Sequence, residues 1–151
     1  MLYSIYQTDP AFSVYPRIRH GACFALSIFC PLCDIFRLPI GHEEFMLFYR
    51  HELSDNDEDI DNEMFIGDAQ NYIDDLVGKK KVLYIGKKEA SYRPGPNEIV
   101  WGCWHRDGTD FNHFDLTDGF GHDTYDPWSK EGSASVKEGK LIGTRVARIL
   151  V

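Results

Sequence analysis

The sequence predicts an α+β domain, with helices in its first half and an antiparallel sheet in its second. Three observations carry that expectation. Apolar residues recur at intervals of three and four in three segments ahead of Gly78. Beyond Lys81 the period changes, and short runs rich in Val, Ile, Tyr, Trp and Phe alternate with Gly, Pro, Asn and Asp. A chain of 151 residues with 43% hydrophobic and 14% aromatic content is long and apolar enough for one core of its own, so 1–151 is read as a single domain.

Residues 1–20 read as an extended lead-in. Leu2, Tyr3, Ile5 and Tyr6 fit a short strand closed by Thr8-Asp9-Pro10, and Pro16, Arg17 and Arg19 bring the chain to the first helix. That helix runs from about Cys23 to Phe36, because Phe24, Ile28, Leu32, Ile35 and Phe36 share one face. Pro31 inside it should kink or split it near Cys30. After the break at Leu38-Pro39-Ile40-Gly41, a second helix spans His42 to about Leu53. It has Phe45, Phe48 and Tyr49 on one face and Glu43 and Glu44 in its first turn. Asp68 to Val77 forms a third, through Ala69, Tyr72, Ile73, Leu76 and Val77, and Gly78 is its natural stop. Strands follow at 82–85, 99–104, 113–118, 124–128 and 145–151, with a Pro- and Gly-rich loop at 92–97.

Between the second and third helices, Ser54 to Glu63 is strongly acidic. Its alternating Asp57, Asp59 and Asp61, with Asp68 at the twelfth place, resemble a calcium loop. Asn62 stands where that loop needs glycine, however, and the closing bidentate glutamate is missing, so a solvated loop is the better reading. The formal net charge of −8 argues against nucleic acid as a partner. Ala22 to Leu32, the longest nearly apolar run, is too short to span a bilayer. Met1-Leu2-Tyr3-Ser4 lacks the basic start of a signal peptide, and a cytoplasmic protein is the expectation. Of the four cysteines, Cys30 and Cys33 lie one turn apart in an apolar helix, which suits reduced thiols.

Cys23 is the candidate nucleophile. It opens a buried helix, where unpaired backbone N–H groups and the positive dipole end favour a thiolate. A thiolate needs a histidine to move its proton and a carboxylate or amide to hold that histidine. The stretch Asn112-His113-Phe114-Asp115-Leu116-Thr117-Asp118-Gly119-Phe120-Gly121-His122-Asp123-Thr124-Tyr125-Asp126-Pro127-Trp128 offers both. A two-residue turn at Gly119-Phe120 would place His113 directly opposite Asp126, with Cβ atoms about 5 Å apart. Centring the turn on Asp118-Gly119 would instead place Thr124 there. His20, His105 and His122 have no comparable carboxylate opposite them.

These motifs resemble the papain-like cysteine peptidases, most closely the branch similar to bacteriocin-processing peptidases. The resemblance covers roughly residues 5–130. It rests on Gln7-Thr8-Asp9-Pro10, on Cys23 with Ser27 four residues later, on His113-Phe114 and on Tyr125-Asp126-Pro127-Trp128. It implies a papain-like fold whose central helix opens at Cys23 and packs on the C-terminal sheet. It also implies a Cys23–His113–Asp126 triad, with Gln7 donating its side-chain amide to the oxyanion beside the Cys23 N–H. The expected activity is hydrolysis or acyl transfer at a peptide or isopeptide amide of a peptide or protein substrate, with no metal or organic cofactor. Two departures stand out: Phe24-Ala25 follows the cysteine where Gly-Pro or Gly-Ala is usual, and the run from His113 to Asp126 is short.

Two other readings compete. Cys30-Pro31-Leu32-Cys33 has zinc-knuckle spacing, and Cys103 with His105 on one face of a strand would complete a three-cysteine, one-histidine set. Two core thiols are the simpler account of the first pair. Alternatively, the domain keeps a papain-like fold without catalysis and binds a partner in a groove lined by Trp101, Trp104 and Trp128, which otherwise belong to the core.

Overall fold

The computed structural model describes residues 3–15, 18, 22–54, 69–109, 112–119 and 124–150. Leu2, the pair Arg17 and Arg19, His20, the acidic residues from Asp55 to Glu63, Asp68, and the turn residues Phe120, Gly121 and His122 lie outside them. The described chain is α+β, with four helices and one four-stranded antiparallel sheet. The helices are α1 (Cys23–Ile35), α2 (His42–Ser54), α3 (Ala69–Val77) and the short α4 (Ala134–Glu138). The strands are β1 (Val82–Lys88), β2 (Glu98–His105), β3 (Asn112–Gly119) and β4 (Lys140–Ile149), in the order β1-β4-β2-β3. Among the described residues no helix is long and apolar enough to cross a membrane.

Helix α1 is the centre of the core: every residue from Cys23 to Cys33 is buried. Of the two outcomes expected at Pro31, a split does not occur: the helix is continuous from Cys23 to Ile35. Proline has no N–H to give the carbonyl four residues back, that of Ser27. The indole N–H of Trp101 on β2 donates to that carbonyl instead, at 2.7 Å, so a strand supplies the bond the helix lacks. The helix ends with Arg37 in the left-handed region (φ 57°) and the Leu38 N–H donating to the Cys33 carbonyl at 2.8 Å. Around α1, Phe24 stacks on Phe114 (4.7 Å between centroids) and meets Trp101 edge-on (5.7 Å), while Phe29 meets Phe45 of α2 (5.4 Å). Burying each such ring contributes on the order of 3 kcal/mol.

The third helix stops where glycine allows it, with Gly78 at φ 98°. From α3, Gln70 covers the free edge of β1: its Nε2 donates to the Val82 carbonyl at 2.9 Å and its Oε1 accepts the Tyr84 N–H at 2.7 Å. A side chain at Gly102 on β2 would force its neighbours to move. A Cβ there would stand 2.7 Å from Thr117 Cγ2 and 2.8 Å from Trp104 Nε1.

Three strand expectations need correction. Tyr3 to Tyr6 forms no strand; the Tyr125 hydroxyl donates to the Ile5 carbonyl, and the segment lies over that ring. Residues 124–128 pair only through an isolated bridge, Leu116 with Tyr125. The last strand begins at Lys140 rather than Arg145 and fills the sheet's interior between β1 and β2.

Candidate active site

Cys23 is the first residue of α1, and the residue capping the helix is Ala22, which has no side-chain acceptor. The outward N–H groups of the first turn are therefore left without a side-chain cap beside the sulfur. His113 is the second residue of β3. The residues that follow each of them, Phe24 and Phe114, stack together, which fixes the helix start against the strand start. The Cys23 thiol is within hydrogen-bonding reach of the His113 ring. The ring's Nε2 is taken by Asp126 Oδ1 at 2.7 Å, so the nitrogen left to face the sulfur is Nδ1.

Asp126 is not opposite His113. The bridge at Leu116 and Tyr125 shifts the pairing by two residues from the Gly119-Phe120 turn and would set Asp126 opposite Asp115. Because the shift is even, Asp126 stays on the face of His113 and reaches it diagonally. The carboxylate is held from several sides. Oδ1 also accepts the Trp128 N–H at 3.0 Å, and Oδ2 accepts both the N–H and the hydroxyl of Ser133 at 2.8 Å each. Gly132, at φ 86°, makes the turn that delivers Ser133, which also caps α4 by accepting the Val136 N–H.

Burial alone would lower the His113 pKa, but the hydrogen bonds to Asp126 and Cys23 outweigh it and push the imidazole up to about 10. Burial would raise Asp126; His113, the Trp128 N–H and Ser133 together hold it below the usual carboxylate value. Both shifts favour the charged forms of the pair, imidazolium and carboxylate. Asp115, on the same face, is pushed up by burial to about 6, against the pull of the Trp104 indole N–H at 2.8 Å.

Gln7 is buried, and its Nε2 donates to the Ile18 carbonyl at 3.1 Å. Its segment is laced to the Asp126 loop. The Gln7 N–H donates to the Pro127 carbonyl at 2.7 Å, and the Thr8 N–H and hydroxyl both donate to the Trp128 carbonyl. Two motifs about 120 residues apart thus share one backbone junction.

The zinc set is not assembled. Cys30 turns toward the Tyr125 hydroxyl (3.7 Å), His105 pairs its Nδ1 with Asn112 Oδ1 (3.2 Å), and among the described residues no three His, Cys, Asp or Glu side chains are grouped as a metal would require. Burial pushes both Cys30 and Cys33 up to about 12, which makes them inert core thiols. The tryptophans do not line one groove: Trp101 is wholly in the core and Trp104 is engaged by Asp115. The sequence reading missed Ser133 and the Trp128 N–H. A serine ahead of Ala134-Ser135-Val136 is a legible helix cap, but nothing in the sequence aims it at Asp126.

A thiol, an imidazole and a desolvated carboxylate in line can generate a nucleophile and return a proton to a leaving group. Comparison of the chain with family models, with curated proteins and with solved structures finds no match.

Proposed function

We propose that this is a papain-like domain, similar to the bacteriocin-processing-peptidase branch, that hydrolyses or transfers a peptide or isopeptide amide. The observation that carries the reading is the continuous contact Cys23–His113–Asp126, from helix start to strand to the loop after it. The Cys23 sulfur, its proton passed to His113, adds to the carbonyl carbon. The negative oxygen is met by the Cys23 N–H and by Gln7, whose Nε2 is steadied on the Ile18 carbonyl. His113 returns the proton to the departing nitrogen as the carbon–nitrogen bond breaks. Water, deprotonated by His113, then cleaves the thioester and releases the acid and the thiol. The scheme requires no metal or organic cofactor. The test is the pH-resolved alkylation rate of Cys23 by iodoacetamide in wild type and His113→Ala. A fast rate at neutral pH, falling about 10²–10⁴-fold in the variant, supports the triad; equal slow rates exclude it.

One observation favours a second reading. Cys23 is only 2% exposed, as suits a domain that keeps this architecture to bind a partner without catalysis. In that case the thiol reacts no faster than a free cysteine.

A further inference from the structure

Asp115 is a second carboxylate beside the candidate triad, 6% exposed, and the scheme above gives it no task. Side chains alternate along β3. Phe114 packs under α1 against Phe24, while His113 and Asp115 share the other face, about 7 Å apart along the strand. The Asp115 Oδ1 accepts the Trp104 indole N–H at 2.8 Å. That bond lies over Gly102, where a Cβ would stand 2.9 Å from Oδ1 and 2.8 Å from the indole nitrogen, so the bare strand makes its room. On the other side, the Leu116–Tyr125 bridge brings Asp126 level with Asp115. Burial first, and the Asp126 charge after it, push Asp115 up to about 6; the Trp104 N–H, His113 and the Gly102 N–H pull the other way.

An indole N–H needs only a neutral acceptor. Asparagine would serve it without setting a second negative charge beside Asp126, but asparagine cannot change its charge. The groups around Asp115 say where such a change is felt. His113 faces it from its own strand and Asp126 from the segment after Tyr125, while β2 presents Trp104 and Gly102. Helix α4, packed on β2 and β3, carries Lys137 and Glu138, both exposed, and Glu138 is paired with Arg106 at 3.0 Å. Of these, His113 is the buried group that gains and loses a positive charge. Asp126 and Cys23 touch its ring and dominate it, and Asp115 acts on it from further along the strand.

We propose that Asp115 is a positioning residue acting through His113: once ionised, it adds a second negative charge on the imidazole's face of the sheet and favours the imidazolium–thiolate form of the His113–Cys23 pair. The proposal rests on the thiol-hydrolase reading above. The proton that Asp115 loses goes to solvent, and the Cys23 proton moves to His113. The site thereby responds to mild acidity, with a more reactive sulfur on the alkaline side of the Asp115 titration than on the acid side. Two readouts test it. One is the rate at which neutral iodoacetamide forms a carbon–sulfur bond at Cys23 and releases iodide, followed from pH 5 to 8. The other is the titration midpoint of the His113 imidazole by nuclear magnetic resonance of histidine-labelled protein, its signal assigned with His113→Ala.

In the wild type the alkylation rate rises about threefold through an inflection as Asp115 ionises, and Asp115→Asn, which keeps the acceptor for Trp104, abolishes that inflection. The same variant lowers the His113 midpoint by about half a unit or more, the size of one charge at about 7 Å even with the dielectric of water. Should Asp115→Asn fail to fold by near-ultraviolet circular dichroism, Trp104→Phe is read instead. It removes the N–H that steadies the ionised carboxylate, so the inflection moves to higher pH; an inflection that stays in place overturns the proposal. An inflection that survives Asp115→Asn, or a His113 midpoint that does not fall, reduces Asp115 to a fastening for Trp104 and leaves the triad standing. A Cys23 that reacts as slowly in the wild type as in His113→Ala removes the triad and the role of Asp115 together.

Discussion

Two histidine–carboxylate pairs in this molecule have the same closest contact, 2.7 Å, and different surroundings. In one, His42 meets Asp9 with side chains 37% and 21% exposed; in the other, His113 meets Asp126 with side chains 10% and 14% exposed. Asp9 accepts one further bond, from the Tyr6 N–H, whereas Asp126 accepts three more. His42 lies beside the Phe12 ring, and His113 faces a thiol. A short nitrogen–oxygen distance therefore does not mark chemistry by itself. Desolvation and a third group in line set the His113–Asp126 pair apart from a surface fastening.

The sharpest way to break the comparison is Asp126→Asn. Removing the charge that favours the imidazolium, while keeping the shape, should lower the Cys23 alkylation rate at neutral pH by about 10²–10⁴-fold. Stopped-flow or mass-spectrometric labelling reads it, and a rate within threefold of wild type would reduce the buried pair to a fastening like the other.

Stability against pH sharpens the same contrast. His113 is raised from its ordinary value near 6.5 to about 10, so its contribution is complete below 6.5 and is lost as pH climbs through 10. Asp126 is lowered, so its contribution is complete above the ordinary carboxylate range and is lost as pH falls through its depressed value. Asp115, raised to about 6, and Cys23 are the other titratable groups facing the ring. Melting curves from pH 6 to 10 should therefore decline for wild type and stay flatter for Asp126→Asn; parallel curves contradict the assignment. The smallest effect belongs to the outer pair. His42→Ala should cost at most about 1 kcal/mol in urea unfolding and leave the alkylation rate of Cys23 unchanged within twofold.

The helices were legible in the sequence because their signal is local. Phe24, Ile28 and Leu32 mark one face of α1, Phe45 and Tyr49 mark one of α2, and Gly78 ends α3 as its lack of a Cβ permits. The strands were less so. Lys140, Gly143 and Thr144 disguise the first half of β4, although its place between β1 and β2 buries 143–147 without a break. Tyr3 to Tyr6 has strand composition but packs on the Tyr125 ring and pairs with no strand. The three residues of the candidate triad were readable as types in an order. Their contacts were not, because the pairing of β3 with the Asp126 segment depends on backbone geometry that propensity does not encode. Ser133 and Asp115 escaped for the same reason: each matters through a neighbour on another segment.

The bond from Trp101 to the Ser27 carbonyl bears on how this protein is made. While a ribosome has delivered only the first hundred residues, the nascent helix carries a vacant acceptor halfway along, which an emerging chain can offer only to water. Docking of the second strand closes that gap, so the helix completes its hydrogen bonding only when the sheet packs on it. A released fragment ending before Glu98 should be a poor helix former even though its composition looks favourable.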